Sequence, residues 1–138
     1  MSRSGYSDDC DGWALIRWRG AVASAIRGKR GQAFLREALA ALDAIEDKRL
    51  IAGELVDHKG EFCTLGAVGK CRGLDLKTID YDDRESVAAA FGIPVALAAE
   101  IMFENDDDYW PRSGKEAEIR WSQMRAWVAK QIKEQLHG

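Results

Sequence analysis

Residues 60–73, GEFCTLGAVGKCRG, form the centre of the predicted fold, because the sequence on both sides of them has the spacing of amphipathic helices. Their first part, with Phe62 and Thr64, is compatible with a β-strand. Their second part combines small residues with apolar ones three and four positions apart, which predicts a tightly packed helix that ends at Gly73. We therefore expect a short strand that leads into a buried helix.

The residues just before this segment predict the other half of a β-hairpin. Residues 50–56 form a short apolar run, and residues 57–60, DHKG, are typical of a turn. A two-stranded hairpin is only marginally stable by itself in water. We therefore expect helices to cover one face of it.

Towards the N-terminus, the sequence predicts two helices joined by a turn. Residues 13–26 place Leu15, Trp18 and Val22 on one apolar stripe, and residues 32–46 form a second amphipathic segment. Between them, Gly28 and Gly31 flank two basic residues, and glycine readily adopts the backbone conformations that a chain reversal needs. We therefore expect an N-terminal helical hairpin.

Towards the C-terminus, the pattern predicts three more helices. One begins near the capping pair Asp82 and Glu85 and ends at Gly92, another begins at Pro94, and the last covers residues 116–136. The predicted fold class is α+β: a mainly helical single domain over residues 1–138 with an N-terminal helical hairpin and a small antiparallel β-hairpin. Residues 1–12 are expected to form a flexible N-terminal segment.

Composition narrows the class of protein. A chain of 138 residues with 46% hydrophobic residues is long enough for one domain with a substantial core. It contains no apolar run of about 18 residues and begins without the apolar core of a signal peptide, so we expect a cytoplasmic protein without a membrane partner. Cys10, Cys63 and Cys71 form no CxxC pair, so neither a disulfide framework nor a metal site is expected, and no cofactor is predicted.

The net charge of −3 conceals a strong separation of charge along the chain. Between Trp13 and Arg36 there are six basic residues and no acid, whereas residues 80–108 hold nine acids against Arg84. This separation predicts either pairing inside the fold or two surfaces that meet charged partners. The candidate partner-binding residues are Arg17, Arg19, Arg27, Lys29, Arg30 and Arg36 on the basic side, and Glu104, Asp106, Asp107, Asp108 and Trp110 on the acidic side.

The basic segment also fits a second class of partner. Basic residues interleaved with aromatic ones, here Trp13 and Trp18, can bind single-stranded nucleic acid through stacking and phosphate contacts. Because Trp18 falls on the apolar stripe, its ring is predicted to be in the core. This burial would remove one of the two stacking rings, so a nucleic-acid-binding module that uses residues 17–36 is kept only as an alternative.

An enzyme is the third class considered. Cys63 and His58 are close enough in sequence to be imagined as a thiol and its base. However, a cysteine in an apolar context is usually a small buried residue, and a histidine in a turn is usually solvated. We therefore expect no enzyme, with a small enzyme that uses Cys63 and His58 as the alternative.

The chain resembles a group of small uncharacterised proteins encoded by phages and prophages of proteobacteria. The resemblance is carried by residues 6–11, 27–36, 63–69, 100–107 and 120–128. The resemblance covers most of the chain. It implies accessory phage biology, including inhibition of host defences such as CRISPR systems. On this basis the expected function is that of a non-enzymatic accessory protein that binds a host protein or ribonucleoprotein.

The five tryptophans and the separated charges together predict self-association. If Trp110 or Trp127 lies outside the core, an aromatic patch beside acidic residues faces solvent, and such patches often mark an interface. A basic hairpin from a second copy would then meet the acidic block and form a homodimer. The alternative is that the two charged segments pair within one copy.

Overall fold

The structure is a computed structural model that describes residues 12–107 and 113–132. The described residues form six α-helices and one 3₁₀ turn, Leu76–Thr78. The helices are α1 (Gly12–Arg27), α2 (Lys29–Ala44), α3 (Thr64–Arg72), α4 (Arg84–Phe91), α5 (Val95–Asp106) and α6 (Glu116–Gln131). The predicted flexible segment over residues 1–12 lies, apart from Gly12, outside the described residues.

The predicted β-hairpin is wrong, and with it the α+β fold class, because the described part of the chain is helical and has no strand. One isolated antiparallel bridge joins Val56 to Phe62. Two backbone bonds join residues 50–56 to residues 62–63, from Ile51 N to Phe62 O at 2.9 Å and from Cys63 N to Leu55 O at 3.2 Å. Other backbone groups of the run bond to α5 and α6: Leu50 N donates to Ala117 O at 3.0 Å, and Ile51 O accepts from Asn105 Nδ2 at 2.9 Å. The apolar run of residues 50–56 is therefore a loop held against α5 and α6.

The predicted helical hairpin is present, but its turn differs from the expectation. Helix α2 begins at Lys29, so Gly31 lies inside the helix rather than in the turn. A Cβ atom at Gly31 would lie 1.8 Å from the carbonyl oxygen of Ala25. Gly31 is therefore needed because α1 and α2 approach each other closely, and not for an unusual backbone conformation.

The buried central helix predicted from residues 60–73 is confirmed as α3. Its N-terminus is capped by the Cys63 sulfur, which accepts a hydrogen bond from Gly66 N at 3.3 Å. Its C-terminus ends at Gly73 in the left-handed conformation, with a φ of 74°. Because six consecutive residues from Thr64 to Gly69 are buried, α3 is enclosed by its neighbours, which include α2 and α5.

The last three helices were also predicted, with shifted ends. Helix α4 is capped by Asp83 and not by the predicted Asp82, because the Asp83 carboxylate accepts from Glu85 N and Ser86 N. Pro94 is the N-cap residue of α5. Helix α6 packs along α2, where Trp121 Nε1 donates to Leu42 O at 2.9 Å. Among the described residues no single helix is both long and apolar enough to span a membrane; α4 and α5 meet that test together, as a pair bent by 108°.

Helix α1 lies at the edge of this fold. Most buried apolar residues form one large core, to which α2 to α6 contribute. The α1 residues Trp18 and Val22 form a separate small cluster with Ala99 of α5. The predicted burial of Trp18 is therefore confirmed, and α1 packs against α2 and α5 while Trp13, Leu15 and Ile16 stay exposed.

Candidate functional site

All six predicted basic residues are exposed on the α1–α2 hairpin. Five of them form no ion pair with another described residue: Arg17, Arg19, Arg27, Lys29 and Arg30. The reason is local, because residues 13–36 contain no acid that could pair with them along the helix. The hairpin therefore presents concentrated positive charge to solvent.

Large apolar side chains are exposed on α1, the first helix of this hairpin. Trp13 is 71% exposed and Ile16 is 60% exposed, and Leu15 between them is also open to solvent. Trp13, Ile16 and Arg17 fall at positions i, i+3 and i+4, so they lie together on the outer face of α1. Ile16 was not among the residues predicted from the sequence, although its position off the stripe of Trp18 and Val22 indicates an exposed side chain. We call Trp13, Ile16 and Arg17 the outer face of α1.

A groove of about 660 Å³ lies along another face of α1 and reaches α5 and α6. Leu15, Val22 and Ile26 are among the α1 residues that give it an apolar lining. Three exposed cations also line it, namely Arg19, Arg27 and Lys130. The groove therefore combines an apolar lining with positive charge from two helices.

The end of the groove is fixed by a buried glutamine. Gln32 Nε2 donates to Ile26 O at 2.7 Å and to Gln131 O at 3.0 Å. These bonds tie the last turn of α1 to the last turn of α6. Because the amide is almost fully buried, losing either bond would be costly, so the two helix ends are held at a fixed separation.

The predicted acidic residues occupy a different place. Asp106 is used inside the fold, since its carboxylate accepts from Gly53 N at 3.2 Å and from the Tyr81 hydroxyl at 2.8 Å. Glu104 and Asp107 are half-buried near the C-terminal end of α5. Asp108 and Trp110 lie outside the described residues. Asp106 therefore has a structural role inside the fold, and the basic residues are the more exposed part of the candidate site.

A buried polar cluster next to Asp106 was not identified from sequence. Asn105 Oδ1 accepts from both the backbone N and the hydroxyl of Thr64, at 3.0 and 2.8 Å. Arg120 Nε donates to the backbone oxygen of Asn105 at 2.8 Å. These side chains are buried, and they join α3, α5 and α6 to the loop of residues 50–63. The cluster therefore positions structural elements and is not open to a ligand.

The candidate catalytic pair has unsuitable chemistry. Cys63 is 1% exposed, and burial raises the pKa of its thiol to about 12. The thiol is therefore protonated at pH 7, whereas nucleophilic cysteines react as thiolates. His58 is exposed in the turn. Over residues 12–107 and 113–132, no group of three or more His, Cys, Asp or Glu side chains is arranged to hold a metal ion.

The candidate site is thus a cationic helix, α1, whose outer face exposes two large apolar side chains and which has a groove along another face. No protein-family model, no curated protein and no solved structure matches this chain in the comparisons made.

Proposed function

We propose that this protein is a non-enzymatic binding protein of the bacterial cytoplasm that binds a host protein or ribonucleoprotein through α1. The observation that carries the proposal is that α1 exposes large apolar side chains together with cations that form no ion pair with another described residue. Tryptophan and arginine are the residues most enriched at the centres of interfaces. Full burial of a large apolar side chain such as Ile16 stabilises a complex by about 1.5–3 kcal/mol.

The partner surface carries negative charge. Because residues 13–36 contain no acid, a positively charged partner would be repelled along this part of the hairpin, whereas an acidic one would be attracted. Both an acidic protein surface and the nucleic acid of a ribonucleoprotein meet this requirement. The resemblance to phage-encoded proteins supports a partner from a host defence complex, of which CRISPR complexes are one kind.

Capture from a bacterial lysate tests the proposal. Wild-type protein and three variants are immobilised: Ile16→Ser and Arg17→Glu on the outer face of α1, and Lys59→Glu in the exposed turn as the matched control for a charge reversal. We expect the same host protein or ribonucleoprotein to be retained by wild type and Lys59→Glu, and at least about tenfold less of it by the two α1 variants. Equal retention by all four proteins would contradict the proposal, as would no retained partner together with unchanged phage plating on defended cells.

A nucleic-acid-binding module is the second candidate function, and one observation favours it. Trp13 is 71% exposed and lies one helical turn from Arg17, so a base stacked on the indole would place its phosphate near the guanidinium. Binding of a fluorescent single-stranded oligonucleotide at about 50 mM salt tests this, and the affinity is expected to fall steeply as salt increases. Absence of any change in anisotropy with RNA or DNA would remove this candidate.

A further inference from the structure

The groove along α1 has the length of a short helix. Leu15 and Arg27 both line it and are twelve positions apart, which corresponds to about 18 Å along a helix axis. A partner helix of about three turns has the same length. Its second wall comes from Lys130 and Gln131 of α6, so an occupant would lie between two helices.

The lining of the groove suits the apolar face of a helix. Leu15, Val22 and Ile26 are spaced at seven and four positions, so they follow one stripe along α1. Ala23 lies beside them and leaves room for a side chain from outside. Helices that bind in grooves insert apolar residues at positions i, i+3 or i+4, and i+7.

The charges of the groove select an acidic occupant. Arg19 and Arg27 are eight positions apart on one wall, or about 12 Å, and Lys130 lies on the other wall. None of the three forms an ion pair with another described residue. Glu100 is the acid that lines the groove, and it is only 5% exposed and already has an interaction of its own.

We propose that this groove binds an acidic amphipathic helix of the partner protein, with two carboxylates seven or eight positions apart that pair with Arg19 and Arg27. This proposal rests on the proposed function, because it specifies which part of the partner protein binds in the groove. A second copy of this chain fits less well, since two acids on its helices, Glu37 and Asp43, already have partners. Glu37 contacts Arg72 at 2.7 Å, and Asp43 contacts Arg125 at 2.6 Å.

A displayed library of random 16-residue peptides, selected on the full chain, tests the proposal without knowledge of the partner. We expect selected peptides to carry Asp or Glu seven or eight positions apart, with apolar residues at helical spacing between them. In fluorescence anisotropy, Ala23→Trp fills the groove and should weaken binding at least tenfold, and Arg27→Gln should weaken it several-fold. The matched controls are Ala33→Trp, at an exposed site on α2, and Lys59→Gln; both should bind as wild type.

Three results would overturn the inference. The first is a selection without the acidic spacing, or peptides that bind Ala23→Trp as well as wild type. The second is a lysate partner that is lost with Arg17→Glu but kept with Ala23→Trp; the proposed function would then stand while the groove would not be its site. The third is an occupant of another kind. If ribonuclease abolishes capture from the lysate, the occupant is RNA. If Ala23→Trp abolishes self-association, the occupant is a second copy.

Discussion

At the scale of single residues, Asn105 connects more parts of the fold than any of the candidate site residues that were predicted from the sequence. Its side chain satisfies the backbone N and hydroxyl of Thr64 and the backbone oxygen of Ile51. Asn105→Ala would leave these buried groups without partners, and each unsatisfied buried group costs about 1–3 kcal/mol. We expect the free energy of unfolding to fall by about 3 kcal/mol or more in urea denaturation.

Gln123→Ala is the control for that measurement. Gln123 is exposed on α6, so its replacement should change the free energy of unfolding by less than about 0.5 kcal/mol. A similar small effect for Asn105→Ala would show that the buried amide does not hold the loop of residues 50–63 in place.

We expect the two described cysteines to differ in thiol reactivity, because they differ in burial. Cys63 is buried with a raised thiol pKa of about 12, whereas Cys71 is exposed. Cys10 lies outside the described residues, so Cys10→Ser provides the background for thiol titration. In this background we expect one thiol to react rapidly in native buffer at pH 8 and the second to react only after denaturation. Two rapidly reacting thiols would contradict the burial of Cys63 and would restore the enzyme alternative.

At the scale of elements, the fit of α3 against the preceding loop depends on a glycine. A Cβ atom at Gly66 would lie 1.9 Å from the carbonyl oxygen of Leu55, which is a backbone atom that cannot rotate away. We expect Gly66→Ala to lower the free energy of unfolding by about 3 kcal/mol or more, because the loop must move off the helix. Chemical denaturation followed by circular dichroism measures this.

Gly20→Ala is the matched control, since Gly20 lies in α1 with nothing within 4 Å of an added Cβ atom. Alanine is a better helix former than glycine, so this variant should gain about 0.5–1 kcal/mol in stability. If both substitutions change the free energy of unfolding in the same direction, close packing does not determine the effect of the Gly66→Ala substitution.

At the scale of the whole molecule, five cations of the hairpin form no ion pair with any other residue that the structure describes: Arg17, Arg19, Arg27, Lys29 and Arg30. The homodimer stays a prediction. Lys29 and Arg30 lie at the start of α2, outside the residues that line the groove, and can meet acids of a second copy. We expect light scattering to show a dimer at low salt that dissociates at high salt, because exposed pairs are screened beyond about 8 Å at physiological salt.

Arg30→Glu should abolish that dimer at low salt, whereas Ala23→Trp in the groove should leave it unchanged. A molecular mass of 15.3 kDa at both low and high salt would show that the separated charges do not drive self-association. The phage-related role and the defence complex as partner likewise stay predictions until lysate capture is performed.

The sequence by itself determined the helices and the separation of charge. Helices depend on local spacing, so the stripe through Trp18 and Val22, the left-handed stop at Gly73 and the buried helix α3 were all visible in the residues. Charge is also a local property of the chain, so the absence of acids between Trp13 and Arg36 was visible in the sequence, which left open whether these cations pair inside the fold or face solvent.

The tertiary structure alone decided the parts that depend on distant residues. Residues 50–56 look like a strand, and two of their backbone groups do bond to Phe62 and Cys63. Three further bonds reach Asn105, Ala117 and Arg120, more than 50 positions away. Asp106 looked like a surface acid until Tyr81 and Gly53 were placed beside it. The groove needs α1, α5 and α6 together, because its lining comes from three helices that meet only when the core is packed.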